Sequence, residues 1–258
     1  MEPALNPEFL LRIFLIFVRI GGVLLAAPFF SHNSIPVRVR IFFAVLLAYA
    51  LSGLIPGELP PYANTTVGMA IAVLIEAVTG LAIGFAGQLI FWAVTFAGEI
   101  IGFQIGLSLA QAFDPGSNGQ VNPLGRFLSL TFLLCFLLVD GHHQIMRALI
   151  GSFQVVPLAG AQVAAAGPYL ISWTGGFLAT ALRLSAPFLV TIALVDTALA
   201  LFSRVVPQAD LFSIGIPLKL LLGLIVTYFF VQHFLPVIPG MVDAMTGDIL
   251  RMLEAITP

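Results

Sequence analysis

The stretch Val67–Ala112, VGMAIAVLIEAVTGLAIGFAGQLIFWAVTFAGEIIGFQIGLSLAQA, is apolar almost without interruption, and Glu76 and Glu99 are its only charged residues. As one straight helix it would reach about 69 Å, against a hydrocarbon core of roughly 30 Å. A single ordinary crossing is therefore excluded. The stretch either folds back as a hairpin or projects well beyond lipid under the cover of other protein. Gly98, Gly102 and Gly106 recur at every fourth position, and Gly80 and Gly84 repeat the pattern. A helix face without side chains lets a neighbouring backbone come close, either as ordinary helix packing or as a subunit interface.

The rest of the chain agrees with that reading. Its 258 residues are 60% hydrophobic and 9% charged, where a soluble domain carries roughly 25% charged residues. The expected fold is all-α, a multi-helix integral membrane protein with long, kinked helices and helical hairpins, about six long apolar helices in total. Asn6-Pro7-Glu8 opens the first helix, since Asn caps free amides, Pro fits the first turn and Glu complements the helix dipole. That helix is expected to reach about Phe30. A second starts at Ser34-Ile35-Pro36 and runs to Ile55, and Pro56-Gly57-Glu58-Leu59-Pro60-Pro61 then forces a loop. Residues 107–126 form the most polar stretch, with turns at Pro115-Gly116 and Asn118-Gly119. Two half-length helices follow, broken at Asp140-Gly141-His142-His143. A long helix from Tyr169 to Phe202 carries Pro187, which predicts a kink. Pro217 to Leu235 is the last long apolar helix. Beyond it Met241, Met245, Ile249, Met252 and Ile256 share one face of a short helix, expected to lie against partners or the membrane surface.

Composition also removes several functions. Net charge is −2, and the basic residues are scattered singly, so nothing tracks a phosphate backbone and no nucleic acid is expected. Cys135, the single cysteine, can form no intrachain disulfide and reads as a small core hydrophobe. Lys219 is the only lysine and no GxxxxGK precedes it, so a P-loop is absent. His142 and His143 are adjacent, about 100° apart on a helix, without the spacing that puts two imidazoles on one face. Gly106-Leu107-Ser108-Leu109-Ala110 lacks the final glycine and the strand of a nucleophile elbow. No catalytic residue, metal site or cofactor is expected. Glu76, Glu99, Asp140, Arg183, Asp196 and Arg204 sit in apolar runs, and the cost of burying charge in lipid requires each to face protein or water. Phe113, at the mouth of the polar loop, reads equally as a pore plug or as an ordinary loop residue.

Several landmarks follow one another along the chain in a distinctive order. These are Arg19 with Pro28, Pro36-Val37-Arg38, Glu76 through Gly80 and Gly84-Phe85, and Gly98-Glu99 with Gln104 and Gly106. Further along are Asp114-Pro115, Gly141-His142-His143, Ala186-Pro187 and Ser203-Arg204-Val205-Val206-Pro207-Gln208 leading to Pro217-Leu218-Lys219. In that order they resemble the FliR family of flagellar type III export-gate subunits, related to the SctT subunit of injectisomes, and the resemblance spans essentially the whole chain. It implies one membrane-embedded domain with a FliP-like part over about 1–168 and a FliQ-like part over 169–258. It also implies assembly in the bacterial inner membrane, within the flagellar basal body. There one copy would join several copies of FliP and FliQ, with FlhB associated, to conduct unfolded flagellar subunits. The family's gate loop maps onto about 107–125, which singles out Gln111, Phe113, Asp114, Pro115, Asn118 and Gln120. Two competing readings rest on the residues alone. A small-solute or ion transporter would use Glu99, Asp140, Arg183 and Asp196 at broken helices, and an intramembrane enzyme would use Asp140 with His142.

Overall fold

A computed structural model describes residues 7–28, 30, 35–55, 59–107, 122–206 and 211–257. Among these the chain is helical, without a strand. In order the helices are α1 (Pro7–Ala26), α2 (Val37–Ser52), α3 (Thr66–Gln104), α4 (Pro123–Leu138), α5 (Gly141–Val155), α6 (Gly167–Val205), α7 (Leu211–Phe234) and α8 (Ile238–Ala255), with short 3₁₀ turns between some of them.

α3 decides between the two readings of the long apolar stretch. It is one unbroken helix of 39 residues, about 58 Å long, and not a hairpin. α6 has the same length and continues through Pro187. Four helical segments among the described residues are long and apolar enough to cross a membrane, or five if the broken pair α4 and α5 counts as one span. The expected six included the second helix, but α2 has 16 residues, short of the ~20 a crossing needs. The break between α4 and α5 falls at Asp140, whose φ of 57° is left-handed. α1 ends at Ala26 rather than near Phe30, because Pro28 biases the residue before it away from helix.

Two expectations near the C-terminus need correction. Pro217 does not open the last long helix; α7 begins at Leu211, so Pro217 lies inside it and removes one backbone hydrogen bond. The apolar face of α8 does not wait for a partner or a membrane surface. Val242, Met245, Ile249, Met252, Leu253 and Ile256 are buried, and the Gln162 amide donates to the Ile256 carbonyl at 2.8 Å. Periodicity identified the buried face, but it cannot distinguish the chain's own core from another molecule.

The chain divides into two compact units. One comprises Met1–Ile90, Asp140–Thr174 and Met241–Pro258, and the other Phe91–Val139 and Gly175–Gly240. In the first, Leu15, Ile16, Ile20 and Val23 of α1 are fully buried. The second is centred on phenylalanines. Phe91 of α3 meets Phe132 and Phe136 of α4 edge-on at 4.7 and 5.1 Å between centroids. Phe188 of α6 meets Phe230 of α7 at 5.4 Å, and Phe230 stacks on Phe234 at 5.1 Å. Six of the 23 phenylalanines thus pack on one another within one unit.

Candidate functional site

In the first unit one buried charge organises everything around it. Glu76 lies on the face of α3 that also carries Gly80 and Gly84, at successive helical turns. A Cβ on Gly80 would collide with the Arg19 carbonyl, and one on Gly84 would come within 2.8 Å of the Val23 carbonyl and 2.7 Å of the Ala26 Cβ. From α1 the approach is reciprocal: a Cβ on Gly22 would lie 2.9 Å from the Leu81 amide nitrogen and 3.0 Å from the Ala77 carbonyl. The glycines therefore bring the two backbones together, and this proximity puts Arg19 within reach of Glu76.

Arg19 is fully buried, as is Glu76. Its Nε donates to Glu76 Oε2 at 2.5 Å and its Nη2 to Oε1 at 3.0 Å, a two-pronged geometry that lysine cannot reproduce. Nη1 reaches the Ser152 carbonyl at 3.0 Å, the Ser152 hydroxyl at 3.2 Å and the Val156 carbonyl at 3.2 Å, while Nη2 also reaches the Pro157 carbonyl at 3.4 Å. The carbonyls at the end of α5 are the negative pole of that helix, so the cation caps it. The guanidinium also sits 4.3 Å from the centre of the Phe153 ring. Glu76 Oε1 accepts a further bond from the Ala159 amide at 2.6 Å. Ala159 itself is left-handed, with φ 57°, and its carbonyl accepts from the Tyr62 hydroxyl at 2.5 Å. Partial burial first, and the Glu76 charge second, raise the Tyr62 pKa, so the phenol remains a donor. Two side chains thus join α1, α3, the end of α5 and the turn after it.

The second unit holds a different polar centre. Asn122 caps α4 by accepting from the Gly125 amide at 2.8 Å, and Pro123 occupies the first helical position. The Asn122 backbone amide donates to Glu99 Oε1 at 3.0 Å, and the Asn122 Nδ2 to Glu99 Oε2 at 2.7 Å and to the Gly98 carbonyl at 3.2 Å. Gly98 faces the Gly125 backbone and Gly102 faces the Asn122 side chain, both too closely for any Cβ. Gly106, with φ 87°, carries the chain away from the end of α3. Just before it, the fully buried Ile105 lies under Gly223 of α7, where a Cβ would come within 2.5 Å of its Cγ2.

The remaining predicted residues are dispersed. Asp196 of α6 pairs with Lys219 of α7 at 2.5 Å, both partly exposed. Arg183 and Arg204 are exposed on α6. Asp140 accepts from His143 Nδ1 at 3.0 Å, with both side chains mostly exposed. The His142 and His143 rings lie 4.1 Å apart, and one donor atom each from Asp140, His142 and His143 falls within 4.8 Å of the others. The exposed Asp140–His143 contact is an i,i+3 pairing at the start of α5. Gln111, Phe113, Asp114, Pro115, Asn118 and Gln120, the expected gate-loop residues, lie outside the described residues. Arg19 and Asn122 were not singled out from the sequence as site residues. Yet Asn122-Pro123 repeats the Asn6-Pro7 helix start, and a buried Glu76 demands a cation.

Long apolar helices tied by a buried ion pair define a helical protein of membrane type. Residues 10–245 match the model of the bacterial export proteins, family 1. The flagellar biosynthetic protein FliR of Bacillus subtilis is 32% identical over 98% of this chain and 96% of its own length. That of Escherichia coli is 29% identical over 93% and 90%, and that of Caulobacter vibrioides 31% over 81% and 84%. The chain belongs to the bacterial export proteins of family 1, among the FliR proteins of flagellar biosynthesis.

Proposed function

We propose that the chain is the FliR-type subunit of a flagellar type III export gate in the bacterial inner membrane, inside the basal body. One copy assembles there with several copies of FliP and FliQ, with FlhB alongside, into a channel for unfolded flagellar subunits. The observation that carries this reading is the family match over residues 10–245. The helices support it. In the spans Val163–Val205 and Ser213–Ala255, only 17% of the most apolar window is buried within the chain, yet α6 also exposes Arg183 and Arg204. Lipid suits the apolar surface and not the charges, so neighbouring subunits are the better cover. α3, at about 58 Å, likewise exceeds a bilayer core of roughly 30 Å. In this reading the chain is a structural part and catalyses no reaction. The gate loop falls at 107–125, where Phe113 and its polar neighbours obstruct the resting path.

Deleting the gene in its own bacterium should abolish flagellin export and filament growth, and returning the gene should restore both. Normal export without the chain would overturn the proposal. A defect in uptake of one solute, with export intact, would favour the transporter reading instead.

A further inference from the structure

Two of the carboxylates that interrupt the apolar helices meet a cation of this chain: Glu76 pairs with Arg19, and Asp196 with Lys219. Glu99 does not. Its two oxygens take the backbone amide and the Nδ2 of Asn122, which are neutral donors. All ten Lys and Arg residues lie among the described residues, and none of them is paired with Glu99. A lysine or arginine for this carboxylate must therefore come from another molecule. The N-terminus of α4 offsets only about half a unit of charge. A carboxylate has about four acceptor positions, and Asn122 uses two, so room for a further donor remains.

The surroundings are shaped for such a donor. Phe96, Glu99, Ile100 and Phe103 fall at the spacing of one helix face, and with Gln104 they line an open groove of about 360 Å³. Phe96 is 41% exposed and Phe103 is 74% exposed, while Glu99 is half-buried between them. Phe96 leans on Phe177 of α6 at 5.9 Å between ring centroids. Neither solvent suits this face. Lipid would cover the rings but strand the carboxylate, and water would solvate the carboxylate but leave the rings bare. A protein surface that brings apolar side chains around one cation satisfies both. The rings flanking Glu99 also favour a cation over a neutral donor, and the cation's hydrogen bond to the carboxylate is charge-assisted. Because Asn122 already holds Glu99 in place, little side-chain freedom is lost on docking.

We propose that this face of α3 is a docking site for a helix of a neighbouring gate subunit, whose lysine or arginine side chain enters the groove and pairs with Glu99. This rests on the export-gate reading and adds to it the surface used and the chemistry of its partner.

The test uses the complex of the chain with FliP and FliQ, with Phe103 replaced by the photo-crosslinker p-benzoylphenylalanine. The native Glu99 and Asn122 stay in place. Irradiation should join this chain to a FliP or FliQ peptide, with a lysine or arginine within two helical turns of the linked residue. A link only to lipid or to this chain, a partner peptide without such a residue, or no product would overturn the proposal. A double-mutant cycle then tests the pairing itself. Glu99→Gln, or glutamine in place of the basic residue so identified, should each lower the fraction of complex surviving dilution in detergent on the order of tenfold. The two together should lower it little further, because both remove one contact. Single variants as stable as the parent, or losses that multiply, would overturn the pairing. If Glu99→Gln fails to assemble, the crosslink alone decides. Failure of the export-gate reading would show separately, as an unsubstituted chain that does not join FliP and FliQ.

Discussion

An Arg19→Ala chain should barely accumulate in the membrane fraction. The substitution leaves Glu76 fully buried without its cation and removes the donors that reach the Ser152 and Val156 carbonyls at the end of α5. Breaking a buried pair by deleting one partner costs about 3–5 kcal/mol, a large share of the 5–15 kcal/mol typical of a folded domain. Arg19→Lys should recover only part of this, because one ammonium cannot bridge both carboxylate oxygens and cap α5 together. Arg19→Met/Glu76→Leu should do better than Arg19→Ala, since no uncompensated charge remains. It should still fall short of the native pair, because the Ala159 amide and the α5 carbonyls lose their partners. Detergent-extracted yield and melting temperature by fluorescence would rank the three variants against the unsubstituted chain. An Arg19→Ala chain that accumulates and melts like the unsubstituted one would contradict the assignment of Arg19 as the hub of the first unit.

Gly80→Val should be nearly as damaging, for a reason traceable to the same crossing. The new Cβ meets the Arg19 carbonyl, and backbone cannot swing aside as a flexible side chain would. α1 must move as a unit, which pulls Arg19 away from Glu76 one turn below. Overpacking a tight contact costs about 1–3 kcal/mol, and disruption of the ion pair adds to it. Gly21→Ala is the internal control. A Cβ there meets nothing within 4 Å, and alanine is the better helix former by about 1 kcal/mol. Its melting temperature should equal or exceed the parent's, while that of Gly80→Val falls by several degrees. Combining Gly80→Val with Arg19→Ala should cost less than the two effects summed, because both act on one contact. Strict additivity would show that the glycine crossing and the ion pair are independent.

These two sites show what could and could not be inferred from residues alone. The glycine spacing at 80 and 84 predicted a close helix approach, and a carboxylate at 76 in an apolar run predicted a side chain facing protein or water. Neither identified α1 as the neighbour, because spacing within one helix carries no information about which helix arrives from elsewhere. Arg19 was visible as a landmark, but its role depends on four segments far apart in sequence meeting at one point. Asn122 carries a more legible signal: the Asn-Pro start of Asn6-Pro7 recurs there, at the end of a stretch rich in turn-forming residues. The length of the apolar run excluded one simple crossing but left hairpin and long helix equally open. Local pattern gives the same signal for both, and the unbroken α3 is the outcome. For α8 the periodic face was plain, while its burial within the chain's own first unit required the fold.

The central claim is that this chain is one member of a larger protein-conducting assembly. Native mass spectrometry of the detergent-extracted chain, expressed once alone and once with FliP and FliQ, tests it most directly. The expected result is a poorly behaved chain when expressed alone, and a single copy within a large complex when the partners are present. A stable monomer or homodimer that ignores FliP and FliQ would contradict it.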